Sequence, residues 1–329
     1  MQSTRAVAKV NPQELPPPNP NGRMISEELQ TLASAMEKVI QNIVTQRQIN
    51  ETIVKRLLSI ERKSDGPAQI PGPSNDPLPM YLGDSLAMCR VLNTFPMYVN
   101  ARDTLITPSL LLHGMWEPVV TRLFMQSLKP GMTVVDIGAN YGYYTLLAAA
   151  SAGPSGRVIA FEPEPKNLDI LTRNVQLNSM EGRVKIFPCA VADAHGKAEL
   201  YMSPWNSGMH SIYPTKQDRA PLSHITVETV ALDDVIDGPI DFIKIDAEGS
   251  EPPIFKGMQK VLSRSPAVKI LMEFNPGTLQ SAGVNPAEFY KRLGEMGFQR
   301  RVLAKEGVLE EVQLDKLVSQ ELTALYLTR

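Results

Sequence analysis

Acids gather where an α/β sheet would present its ligand-binding edge. Asp136, Glu162, Asp246 with Glu248, and Glu273 each close or follow a short β-branched run. Gly138, Asn140 and Gly142 belong to a D-x-G-x-x-x-G turn that starts at the first of these acids. A strand, a glycine turn and a helix start together offer close backbone approach and free N–H groups to a ligand. A dinucleotide fingerprint needs G-x-G-x-x-G, and Asn140 stands in place of its middle glycine. Asp136 at the strand tip would also repel a pyrophosphate, whereas a cation suits it. Glu162 follows Gly142 by 20 residues and ends the next run, where an acid takes the hydroxyls of a ribose. A ligand joining an amino acid, a ribose, an adenine and a sulfonium meets every requirement, so S-adenosylmethionine is the expected cofactor.

Elements must bring these residues together. Near-continuous apolar runs at 133–137, 157–161, 184–187, 240–245 and 268–273 predict parallel strands covered on both faces. Helical stretches are expected around 143–151, 167–178, 252–262 and 286–296, and two further strands near 299–303 and 322–327 would close the sheet. The fold class is therefore α/β: a doubly wound, seven-stranded, Rossmann-like domain. In such a sheet ligands bind beyond the carboxyl ends of the strands, where the acids lie.

The stretches VVDIGANYGYYTLLAA, FEPEPKNLDILTRNVQLN and above all IDFIKIDAEGSE resemble the FkbM-type family of S-adenosylmethionine-dependent O-methyltransferases. YLGDSLAMCRVLNTF and the following ARDTLITPSLLLHGMWEP are similar to the leader of many members. The resemblance spans residues 80–329. It implies a class I methyltransferase fold with an antiparallel last strand, and methylation of a hydroxyl on a sugar or polyketide-like natural product.

Methyl transfer to an alcohol is mostly positioning, helped by a base that takes the hydroxyl proton. The catalytic candidates are Asp246, His210, Lys244 and Glu248. Lys244 shares a strand face with Asp246, either as a buried structural ion pair or as a cation that orients the substrate oxygen. Imidazole has the intrinsic pKa best suited to a base near neutral pH, which favours His210, although a surface-loop histidine is its plain alternative. Asp136, Gly138, Asn140, Gly142, Glu162, Glu117 and Asp246 are expected to hold the cofactor. Glu117 is equally readable as an acid favoured by a helix N-terminus. Trp205, Asn206 and Glu273 are expected to face the substrate. Asp246, Glu248 and Glu273 offer the oxygens that Mg²⁺ favours, but nothing in their spacing requires a metal and none is expected.

The remaining chain has a different character. Prolines crowd residues 12–20 and 67–79, and between them residues 26–63 contain neither proline nor glycine. Leu29, Leu32, Met36, Val39, Ile43, Gln46, Asn50, Ile53, Leu57 and Ile60 keep an unbroken 3-4 spacing. The predicted organisation is a proline-rich disordered tail (1–25), a coiled-coil oligomerisation helix (26–63), a Pro/Gly linker (64–79) and the methyltransferase-like domain (80–329). A homo-oligomer is expected, trimer or dimer, with several Leu at a and Ile at d leaning towards three strands.

Lys and Arg total 33 against 35 acids, a net charge of −2, which gives no electrostatic reason to expect nucleic acid. Two cysteines exclude a disulfide framework and fit a reducing compartment. No apolar run suits a membrane span and no signal-like segment opens the chain, so a cytoplasmic protein with a small-molecule or glycan acceptor is expected. The competing readings are a reductase on the same sheet, which Asn140 opposes, and a coiled-coil scaffold with a relic fold, which the intact acid set opposes.

Overall fold

The computed structural model describes residues 79–203, 206–213, 223–304, 307–319 and 322–329. The expected tail, coiled coil and nearly all of the linker lie outside them. Among the described residues fourteen strands follow in chain order: β1 (Met80–Gly83), β2 (Leu86–Val91), β3 (Phe95–Asn100), β4 (Thr133–Ile137), β5 (Arg157–Phe161), β6 (Val184–Phe187), β7 (Ala190–Val191), β8 (Gly196–Tyr201), β9 (His224–Val230), β10 (Phe242–Ile245), β11 (Lys269–Phe274), β12 (Gln299–Leu303), β13 (Leu309–Glu310) and β14 (Thr323–Thr328).

The main sheet has the order β13-β12-β14-β11-β10-β4-β5-β6. Strands β6, β5, β4, β10 and β11 are mutually parallel, and β14 runs antiparallel between β11 and β12. Seven of these strands coincide with the predicted runs. The eighth, β13, corrects the count: it is only two residues long, pairs with the edge of β12, and is too short for a periodic signal.

Alternation along the strands sends side chains into two cores. Val134 and Phe242 face the helices Pro118–Ser127, Tyr143–Ala152 and Pro165–Leu177, while Val135, Ile137, Ile243 and Ile245 face the helices Glu251–Lys256 and Pro286–Glu295. The period of two then fixes two charged positions. Asp136 and Lys244 are register partners in neighbouring strands, on the same face as Val134 and Phe242, beneath the helix Tyr143–Ala152.

Two small sheets were not foreseen. β1, β2 and β3 form an antiparallel meander, and β7, β9 and β8 form a second three-stranded sheet between β6 and β10 in the chain. The predicted helix at 252–262 is two helices, Glu251–Lys256 and Gln259–Arg264. They part at Gly257, where a Cβ would stand 2.1 Å from the Ala192 carbonyl oxygen. No helix among the described residues is long and apolar enough to cross a membrane.

Candidate active site

The carboxyl ends of β4, β5 and β10 open onto a cavity of about 910 Å³, counting its mouth. Gly138, Asn140, Glu162, His210 and Asp246 line it, together with apolar groups such as Trp116 and Phe161. A second cavity of about 580 Å³ lies beside it, lined by Glu117, Lys244, Asp246 and Glu273 and by Val120, Leu271, Met272 and Leu322. Asp246 lines both.

Asp246 follows β10, and its backbone N–H donates to Ile137 O at 3.0 Å, which seats it against the end of β4. Lys244 Nζ donates to Asp246 Oδ2 at 2.8 Å and lies 4.4 Å from the centre of the Tyr144 ring. The Tyr144 hydroxyl donates to Glu117 Oε2 at 3.0 Å. Burial alone would lower the Lys244 pKa, but the carboxylates of Asp246, Glu117 and Asp136 raise it above the ordinary lysine value. An ammonium therefore persists in a buried position, held by a carboxylate and an aromatic face.

The neighbouring acids respond in the opposite sense. Burial raises Glu117, with Lys244 opposing it. Burial and the charges of Asp246 and Glu251 push Glu248 up to about 8, and Glu273 is raised well above the ordinary range by burial and by Asp246 and Glu248. Asp246, Glu248 and Glu273 each bring one carboxylate oxygen to within 4.8 Å of the others. Such a trio suits either a shared proton or a divalent cation. Glu248 has a left-handed backbone (φ 46°) and lines neither cavity.

Glu162 ends the first cavity's polar wall. Its Oε2 accepts the Asn140 N–H at 2.7 Å and its Oε1 accepts the Glu164 N–H at 2.9 Å. Burial lifts its pKa to about 7 against the pull of these N–H groups. Beyond these two N–H groups and the Asn167 side chain, the carboxylate keeps a lone pair for a ligand hydroxyl.

Several expected site residues sit elsewhere. Asp136 is 1% exposed, accepts the Thr145 hydroxyl at 2.6 Å and lies outside the first cavity's lining, under the charge of Lys244. Gly142 is also outside the lining: a Cβ there would stand 2.5 Å from Leu171 Cδ1, so this glycine serves helix packing. Gly138 does line the cavity, yet the space that it saves belongs to the Asp246 carbonyl oxygen, 1.9 Å from a Cβ. The Asn206 side chain caps a short 3₁₀ turn, Ser207–Met209, by accepting the Gly208 N–H at 2.9 Å. Trp205 lies outside the described residues. Glu117 lines the second cavity and not the first, away from the wall formed by Glu162.

His210 lines the first cavity but not the second. Its Nδ1 accepts the Ser203 N–H at 3.1 Å. Burial holds the imidazole below the ordinary histidine value, although the charges of Glu164 and Asp103 oppose this. Its neighbour Ser211 donates to the Glu248 carbonyl oxygen at 2.7 Å, and His210 shares the first cavity's wall with Asp246.

Sequence reasoning missed Asp103, Tyr141, Tyr144 and Ser207. Asp103 Oδ1 accepts the Leu105 and Thr107 N–H groups at the start of the helix Ile106–His113, and its Oδ2 accepts both the N–H and the hydroxyl of Ser207 at 2.8 Å. Only the first half of that role, an acid before a helix, leaves a local signal.

Comparison with known proteins gives concordant matches. The profile described as the methyltransferase FkbM domain matches residues 136–300. The chain is 27% identical over 157 residues to methyltransferase sdnD of Sordaria araneosa, covering 39% of this chain and 60% of that protein. It is 29% identical over 162 residues to 31-O-demethyl-FK506 methyltransferase FkbM of Streptomyces tacrolimicus, covering 40% of this chain and 61% of that protein. The chain thus spans about three-fifths of the length of these curated relatives. Among solved structures, methyltransferase FkbM from Methylobacillus flagellatus KT aligns at 17% identity with a TM-score of 0.40, over 63% of this chain and 50% of that one.

Proposed function

Because the chain belongs to the FkbM methyltransferase family and S-adenosylmethionine is its cofactor, we propose that it is an O-methyltransferase acting on a hydroxyl of a saccharide or a related natural product. The observation that carries this reading is the position of Asp246, which forms part of the wall of both cavities. The first cavity suits the donor. It is apolar enough for an adenine, carries an acid for a ribose in Glu162, and reaches Asp246 at its other end. Bound there, S-adenosylmethionine supplies a methyl group on a positively charged sulfur, which leaves as a thioether. The second cavity then receives the acceptor.

Asp246 is 25% exposed and has Oδ2 fixed by Lys244, so its carboxylate is oriented before an acceptor arrives. It takes the hydroxyl proton as the oxygen–carbon bond forms. Lys244 acts through it as a positioning residue. Glu273, whose carboxyl is raised well above the ordinary range by burial and by Asp246 and Glu248, lies on the same wall and faces the acceptor. The apolar side of that cavity, with Val120 and Met272, suits the C–H face of a ring. The relative named for 31-O-demethyl-FK506 supports a natural-product hydroxyl as the acceptor class.

The test is transfer of a labelled methyl group from S-adenosylmethionine to a panel of saccharides and cyclic polyketides. Asp246→Asn is expected to lose about a hundredfold or more in turnover while calorimetry shows the donor still bound. Unimpaired transfer by this variant would remove Asp246 from the mechanism.

A further inference from the structure

Among the described residues, Tyr141 Oη and Arg301 Nε are the buried side-chain polar atoms without a hydrogen-bond partner. Arg301 is on β12 and lines neither cavity, whereas Tyr141 is part of the first cavity's wall and is 1% exposed. An unpaired buried donor is rare enough in a native protein to require a reason.

The Ser207 hydroxyl approaches the phenol closely enough to lower its pKa, but their geometry falls short of a full hydrogen bond; Ser207 Oγ gives its proton to Asp103 Oδ2 at 2.8 Å and receives Asn140 Nδ2 at 3.2 Å. The charges of Asp103, Glu164 and Glu162 also reach the phenol, and the Asn140 N–H next to Tyr141 donates to Glu162 Oε2 at 2.7 Å. The hydroxyl thus has no partner among the described protein atoms, on a wall that also carries Glu162 and that Asp103 fixes through Ser207.

We propose that the Tyr141 hydroxyl is a cofactor-binding group that donates to a ribose oxygen of S-adenosylmethionine, sharing that sugar with Glu162. This rests on the donor reading above and adds a second reader to it. With donor bound, the phenol's proton has an acceptor.

The experiment is calorimetric titration of the full chain and of Tyr141→Phe with S-adenosylhomocysteine and with its 2′-deoxy and 3′-deoxy analogues. The variant should bind S-adenosylhomocysteine about fivefold more weakly, as the loss of one neutral hydrogen bond dictates. That penalty should vanish for the analogue lacking the oxygen that the phenol reads. The melting temperature of the unliganded variant should stay level or rise, since an unpaired buried hydroxyl has been removed. Equal affinities for S-adenosylhomocysteine, or a penalty undiminished with both analogues, would overturn the inference. A lower melting temperature would reveal a partner within the chain and overturn it too. If the unaltered chain failed to bind S-adenosylhomocysteine, the donor reading itself would fall, and this inference with it.

Discussion

Lys244 Nζ stands 2.8 Å from Asp246 Oδ2 and 4.4 Å from the centre of the Tyr144 ring, so a buried cation is held between a carboxylate and a π face. The same ammonium opposes the raised pKa values of Asp136, its register partner on β4, and of Glu117 on the wall of the second cavity. Replacing it leaves several carboxylates without a counter-charge in a dry place. Lys244→Met is therefore expected to lower stability by about 3 kcal/mol in urea unfolding. An unchanged midpoint would mean that these acids take up protons at little cost.

Glu162 has a pKa raised by burial to about 7. A ribose hydroxyl donates to its ionised form, so a proton competes with donor below that value. Affinity for S-adenosylhomocysteine should rise from about pH 6 to about pH 8, and Glu162→Gln should bind more weakly with no such slope. The free chain has the opposite dependence. A folded carboxyl that keeps its proton after the unfolded one has released it contributes stability that fades as pH rises towards about 7. Glu251, also raised by burial to about 7, acts in the same direction. The melting temperature without ligand should accordingly fall between about pH 5 and about pH 8.

Gly138 has a φ of +79°, and a Cβ there would meet the Asp246 carbonyl oxygen at 1.9 Å. Gly138→Ala forces β4 and β10 apart at their ends, where Asp246 is seated. The expected result is a loss of about 3 kcal/mol or more in denaturant unfolding, with no measurable methyl transfer. Normal activity would show that the two strand ends tolerate separation.

Removal of residues 1–66 takes away the unbroken 3-4 spacing between Leu29 and Ile60. Light scattering should then report a smaller oligomer, while donor affinity stays within about twofold. An unchanged mass would end the coiled-coil proposal.

The main sheet was legible because buried parallel strands are apolar throughout and end on conspicuous polar residues. Asp246 and Glu162 stood out for that reason. What escaped was set by distant parts of the chain. β13 exists because β12 has an edge to offer, and the break at Gly257 exists because Ala192 passes close by. Gly142 looked like room for a ligand, yet the space beside it is filled by Leu171 from the helix Pro165–Leu177. Asp103 meets Ser207 across 104 residues of sequence, a pairing that no local pattern encodes. Tyr141 carries no sign of its unpaired hydroxyl in a motif rich in aromatic residues.

Asn174 joins two regions that the sequence keeps apart. Its amide accepts the Tyr98 N–H at 2.6 Å and donates to the carbonyl oxygens of Tyr98 and Tyr141 at 2.9 and 2.7 Å. Asn178 adds a bond to Pro96 O at 2.9 Å, and Met97 of the same strand reaches the first cavity. The meander is thereby riveted to the turn that carries Tyr141. The matched family region begins at Asp136, but a fragment cut there would lose the backbone against which that turn is braced. A unit that keeps this brace starts upstream of β3, whose Met97 is itself part of the first cavity's wall.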